Sequence, residues 1–135
     1  AFEPVALSVG ESAVLQPLGL RIFCEWQENF SEIQNTLSTF AVKCDTIGST
    51  TQILFRPRRA HDEMRVSGGR KTLKKLMIDR KIPLDRRSLL PVAADEHGIL
   101  GVYGIGVNLD RAAAPGDRAV IIRIEELEKE DSLYD

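Results

Sequence analysis

The sequence predicts a single α+β domain: a small mixed or antiparallel sheet with one or two short helices packed on it. Three observations predict this. Apolar and polar residues alternate with a period of two in the first third of the chain, and two further strands are read near its end. One short stretch with helical spacing lies between these regions, so strands and helix are segregated along the chain. A length of 135 residues is enough for one buried core and too short for two ordinary ones.

From Val5 to about Ile47 the chain reads as β structure. "SAVLQPLGLRIFCEW" is broken by Pro17 and Gly19 into two short strands joined by a turn. In the second, Leu20, Ile22, Cys24 and Trp26 alternate with Arg21, Phe23 and Glu25, as in a half-buried strand. "TFAVKCDTI" is read with the same alternation. "QENFSEIQNTLS" between them has Phe30, Ile33 and Leu37 at helical spacing but poor helix formers around them, so a loop or one weak turn is expected.

"TQILFRPR" reads as a strand stopped by Pro57, because proline donates no ladder hydrogen bond. "RRAHDEMRVSGG" reads as irregular. After Gly69 the spacing of Leu73, Leu76, Met77 and Arg80 predicts a helix, with Thr72 or Ser67 available as its cap. Pro83 ends it, and residues 85–90 form one further turn before Pro91. "GILGVYGIGVN" and "AVIIRIEEL" are the last two strands, joined through "AAPGD", where Pro115 and Gly116 suit the centre of a type II turn. The acidic "EELEKEDSLYD" reads as a solvated, frayed end. Residues 1–53 are thus a β-rich lead-in, 54–107 a basic core, and 108–135 a last strand with an acidic tail.

Composition excludes several classes. Hydrophobic residues at 43% and charged residues at 28% are near the globular average. No apolar run approaches a membrane span, and the start has no signal-peptide pattern, so a cytoplasmic location is expected. Cys24, Cys44, His61 and His97 are too scattered for a readable zinc site, and reduced thiols are expected. "SGGR" departs from the Walker loop, since Met64 stands five residues before Gly69 and Arg70 intervenes before Lys71. It departs equally from the adenylating loop S-G-G-x-D-S, because Lys71 and Thr72 replace Asp and Ser. Gly104 and Gly106 spell G-x-G, but Leu109 occupies the third glycine position. No nucleophile elbow, Cys/His pair or apolar carboxylate pair is visible, so no catalytic residue is assigned.

Charge is uneven. Residues 56–87 carry twelve Lys or Arg against Asp62, Glu63, Asp79 and Asp85, a local balance of +8 in a chain of net charge −2. A face this basic suits a polyanion, since a bound phosphate feels local charge more than the total. On a helical wheel Leu73, Leu76 and Met77 form the core side, and Lys71, Lys74, Lys75 and Lys81 fan across the other, with Ile78 among them. With Arg70 and Lys71 at the start of that helix, an anion near its first N–H groups is expected. The plain alternative is a solvated charged face.

Residues 54–107, "LFRPRRAHDEMRVSGGRKTLKKLMIDRKIPLDRRSLLPVAADEHGILGVYGIGV", resemble the C-terminal domain of the tRNA(Ile)-lysidine synthetases. That family has an R-x-R opening, a Gly-Asp-Arg-like turn, a glycine, a K-L-K-K-L run ending in D-x-K-hydrophobic-P, an R-D-x-x-P element and a strand with V-x-G. Here these are met by Arg56 and Arg58, Asp62, Gly69, residues 71–83, Arg86 or Arg87 with Pro91, and residues 102–104. "KTLKKLMIDRKIP" is the specific part. His61 stands where the family turn has glycine, and Ser88 follows Arg87 where the pattern has aspartate.

The resemblance implies a parent ligase that uses ATP to adenylate the wobble cytidine of a CAU anticodon and joins lysine to it. Its ATP and magnesium belong to an N-terminal domain outside this sequence, and no cofactor is expected here. The C-terminal domain is implied to bind the tRNA(Ile) body, above all its acceptor stem. Arg70, Lys71, Lys74 and Lys75 are expected to position the RNA backbone. Arg80, Lys81, Arg86 and Arg87 extend that track, with Arg58, Arg59 and Arg65 beside it. Besides this tRNA, the parent catalytic domain is an expected partner; a membrane and DNA are not. The competing reading is a basic protein-interaction module that docks an acidic partner or its own catalytic domain.

Overall fold

Pro17 and Gly19 do divide the first β region. The computed structural model describes residues 2–28, 35–44, 47 and 51–128. In it β1 (Val5–Ser8) and β2 (Ser12–Leu15) are followed by a 3-10 turn, Gln16–Leu18, and then by the long β3 (Leu20–Gln27). Gly19 closes the turn with φ 65, a left-handed conformation that costs glycine nothing. Along β3 Leu20, Ile22 and Cys24 are buried while Arg21 and Glu25 are exposed, as the alternation predicts. β4 (Thr39–Lys43), β5 (Gln52–Arg56), β6 (Glu63–Val66) and β7 (Gly69–Thr72) precede the helix α1 (Leu73–Asp79), and β5 ends immediately before Pro57. A second 3-10 turn (Leu84–Leu89), β8 (Val92–Asp95), β9 (Gly98–Val102), β10 (Gly106–Val107) and β11 (Ala119–Glu126) complete the chain.

The α+β expectation holds, with two main sheets in place of one. One sheet has the order β1-β5-β8-β9-β10, the other β2-β3-β11-β4, and β6-β7 form a separate hairpin. All these pairings are antiparallel. Between the two main sheets lies one buried cluster: Leu7, Ile53, Phe55, Ala93 and Leu100 from the first, and Ile22, Cys24, Phe40, Val42, Val120, Ile122 and Ile124 from the second. A second cluster covers the outer face of the first sheet, where Leu73, Leu76 and Met77 of α1 join Met64, Val92, Ile99 and Val102.

These two clusters explain one strand that the sequence does not predict. In β8, Val92 belongs to the outer cluster and Ala93 to the inner one. A strand buried on both faces shows a short apolar run without alternation. β4 departs from its expected alternation for the same reason. Phe40, Ala41 and Val42 are all fully buried, Ala41 being covered by Ala113, Ala119 and Ile121 on the outer face of its sheet.

Three further readings are corrected. The stretch read as irregular holds β6, paired with β7 in the register Glu63↔Thr72 to Val66↔Gly69 across the two-residue turn Ser67-Gly68. Gly68 and Gly69, with φ 100 and 118, permit that turn. Arg70 and Lys71 therefore lie on a strand, not on the first turn of the helix. "GILGVYGIGVN" is a hairpin and not one strand: β9 turns at residues 103–105 and returns as β10, with Gly106 opposite Val102. The "AAPGD" turn is as expected, the Asp117 N–H donating to the Ala114 carbonyl with Gly116 at φ 93. The weak turn expected in "QENFSEIQNTLS" falls mainly on residues 29–34, and the frayed end mainly on residues 129–135, both outside the described residues.

Candidate nucleic-acid interface

Helix α1 stands on the outer face of the first sheet with both ends fixed. Thr72 is its cap, its hydroxyl oxygen accepting from the Lys75 N–H at 3.1 Å. At the other end Lys81 takes a left-handed conformation, φ 57, and its N–H donates to the Ile78 carbonyl while the Ile82 N–H donates to that of Met77. This is the Schellman pattern with lysine in the usual glycine position, and Ile82 joins the cluster that contains Met77. The helix thus ends at Asp79, four residues before Pro83, so this cap and not the proline ends it. Within it the wheel is as the sequence implies: Leu73, Leu76 and Met77 are buried, Lys74 and Lys75 exposed, and Ile78 is 45% exposed, whereas Lys71 and Lys81, read onto the same fan, lie on β7 and past the helix end.

Before α1, residues 57–62 form a tight loop. Buried Arg56 sends two parallel hydrogen bonds to Asp62, at 2.8 and 3.1 Å. Asp62 also accepts from the Arg59 N–H at 2.7 Å, and its backbone carbonyl accepts from the Leu73 N–H at 2.9 Å. His61 has φ 70, the left-handed conformation that a glycine would take most easily. The position at which the resemblance expects a glycine is therefore held by His61 in a glycine-like backbone state.

The fold separates the predicted cations into two groups. Arg65 pairs with Asp110 at 2.9 Å, and Arg70 bonds the same carboxylate and approaches Glu63 at 3.7 Å. Lys75 and Lys71 lie 3.0 and 3.6 Å from Asp79. A hydrogen bond from the Lys75 ammonium, with Lys71 adding to it, holds the Asp79 carboxyl below the usual carboxylate range. The Arg87 Nε donates to the Ile82 carbonyl at 2.9 Å, a bond that does not use an aspartate at position 88. By contrast Arg58, Arg59, Lys74, Arg80, Lys81 and Arg86 form no ion pair among the described residues.

Three of these six converge. Arg58 and Arg59 from the loop and Lys74 from α1 line one cleft with His61, Thr72 and Ser88, about 630 Å³ in volume. Asp62 also borders it, but its charge is already met by Arg56. The cleft is therefore a concave surface of positive charge and hydrogen-bond donors, suited to an oxyanion. Arg80, Lys81 and Arg86 do not line it.

Sequence reasoning did not single out Asn108 and Asp110, which hold the far side of the hairpin. Buried Asn108 donates to the Ile99 carbonyl at 2.8 Å and accepts from the Arg65 N–H at 3.1 Å. The only local signal was a polar "N-L-D" following a β stretch. Among the described residues no group of three or more His, Cys, Asp or Glu is placed to hold a metal, and no helix is long and apolar enough to cross a membrane.

The sequence profile of the TilS substrate C-terminal domain matches residues 53–125, more than half of the chain. The chain belongs to that family. Within the TilS comparison, 58 residues are 40% identical to the tRNA(Ile)-lysidine synthase of Clostridioides difficile (strain 630), covering 42% of this chain and 13% of that protein. The chain thus corresponds to a small part of that curated relative. A solved structure described as "Crystal structure of TILS C-terminal domain" superposes with a TM-score of 0.75 at 26% identity, covering 93% of this chain and 99% of that one. The TilS C-terminal fold accordingly extends over the β-rich lead-in as well as the basic core.

Proposed function

We propose that this chain is the tRNA-binding part of a cytoplasmic tRNA(Ile)-lysidine synthetase, the ATP-dependent ligase that joins lysine to the wobble cytidine of the CAU isoacceptor. In this reading ATP, magnesium and the reacting groups reside in the parent's other domains, and this one grips the tRNA body at its acceptor stem. The observation that carries it is the convergence of Arg58, Arg59 and Lys74 on one cleft whose single carboxylate is already neutralised. Uncompensated cations of this kind attract phosphate, and an A-form stem offers side chains its phosphates, 2′-hydroxyls and shape more readily than its base edges. Arg80, Lys81 and Arg86, which form no ion pair among the described residues, add to the positive field outside the cleft. Engaged Arg65, Arg70, Lys71 and Lys75 contribute to the field more weakly, because Asp110 and Asp79 offset them.

The test is tRNA binding as a function of salt. With three to four phosphates contacted, log K falls against log[salt] with a slope of about −3. A slope near zero, or equal affinity for tRNA and a neutral polymer, overturns the reading and favours docking of an acidic protein surface.

A further inference from the structure

The cleft has features that a site for continuous RNA backbone does not require. Its three cations, Arg58, Arg59 and Lys74, face a single concave space. Asp62 leaves little negative charge to oppose them, because both of its carboxylate oxygens are bonded by Arg56 and one of them also by the Arg59 N–H. Ser88 and Thr72 bring hydroxyls to the same space. The Thr72 oxygen already accepts from Lys75, so its proton remains free to be donated. The row of charge is interrupted beyond Lys74, since Asp79 engages both Lys71 and Lys75. The unpaired Arg80, Lys81 and Arg86 lie outside the cleft. An isolated pocket with several donors suits one highly charged group better than a strand running through it.

We infer that the cleft holds a terminal phosphomonoester, the 5′ end of an RNA, in preference to an internal phosphodiester. This rests on the tRNA-binding reading above and narrows it. A phosphodiester carries one negative charge and two free oxygens. A phosphomonoester carries about 1.5 to 2 negative charges near neutral pH and three strong acceptor oxygens. Two guanidinium forks, an ammonium and two hydroxyls supply donors for all three oxygens. The volume, about 630 Å³, also admits a terminal nucleotide's phosphate with part of its sugar.

The experiment compares two RNA hairpins of one sequence, one ending in a 5′-phosphate and the other in a 5′-hydroxyl, for binding to the whole chain at fixed ionic strength. The phosphorylated hairpin is expected to bind about tenfold more tightly, the scale of a single charge-assisted hydrogen bond. Inorganic phosphate, added against chloride of equal ionic strength, competes selectively with the phosphorylated hairpin. Lys74→Ala and, by introducing a carboxylate, Ser88→Asp each bring the affinity ratio close to one, with circular dichroism checking that each variant is folded. Equal binding of the two hairpins by the unmodified chain overturns this inference and leaves the tRNA-binding reading in place. Failure of both hairpins and of tRNA to bind overturns both.

Discussion

The guanidinium of Arg56 and the carboxylate of Asp62 meet through two parallel hydrogen bonds, with side chains only 7% and 12% exposed. The pair closes the base of the loop that presents Arg58 and Arg59. Asp62→Ala strips Arg56 of its partner in a buried setting and is expected to cost about 3 to 5 kcal/mol. Arg56→Met with Asp62→Leu is expected to recover much of that stability without restoring binding, since the Arg59 N–H loses its acceptor. Urea unfolding paired with tRNA titration checks both expectations. Equal destabilisation by the single and double variants would remove the charge pair as the cause.

The two faces of α1 should give two phenotypes. Leu76→Ala opens a cavity in the cluster beneath the helix and is expected to cost about 2 to 5 kcal/mol. Lys74→Ala should leave stability almost unchanged, because an exposed charge contributes little, and weaken tRNA binding. Lys75→Ala should weaken binding less than Lys74→Ala does, since Asp79 already engages Lys75. Melting temperature and salt-titrated affinity, measured on the three variants, separate these effects.

At Gly101 the first sheet packs tightly against Phe40 of the second. A Cβ there would lie 2.7 Å from Cδ2 and 2.9 Å from Cγ of Phe40, and 3.0 Å from the Gly106 carbonyl oxygen. Phe40 is fully buried and has little room to retreat. Gly101→Ala is therefore expected to destabilise by about 1 to 3 kcal/mol through overpacking. Adding Phe40→Leu should recover part of the loss, which a denaturant double-mutant cycle measures directly.

Burial, with Glu11 adding to it, pushes the Cys24 thiol up from 9.0 to about 12. At neutral pH it should resist iodoacetamide in the folded chain and react after unfolding, because the thiolate is the nucleophile. Between those two values the unfolded chain loses the thiol proton while the folded chain keeps it. Stability attributable to this group is thus complete below about pH 9 and declines toward pH 12, by at most about 1.4 kcal/mol per unit. Comparing the chain with Cys24→Ala at about pH 8 and about pH 10 isolates the effect from other titrating groups.

The sequence by itself determined the α+β class, the break at Pro17 and Gly19, the end of β5 at Pro57, the Pro115-Gly116 turn and the buried side of α1. Each is a local matter: proline lacks an N–H, glycine accepts positive φ, and helical spacing places three apolar residues on one side. The density of charge in residues 56–87 was equally plain. Only the tertiary structure decided that β8 exists, because Val92 and Ala93 face different clusters and show no alternation. It also placed Arg70 and Lys71 on a hairpin, where Glu63 to Val66 supply a partner strand that no local pattern announced. Above all it sorted the cations. Asp110 lies forty residues from Arg70 along the chain and bonds it, whereas Arg58, Arg59 and Lys74 form no ion pair among the described residues and gather at one cleft. Charge composition is additive along a sequence, but neutralisation acts over a few ångströms, and those distances are set by how the sheets and the helix pack.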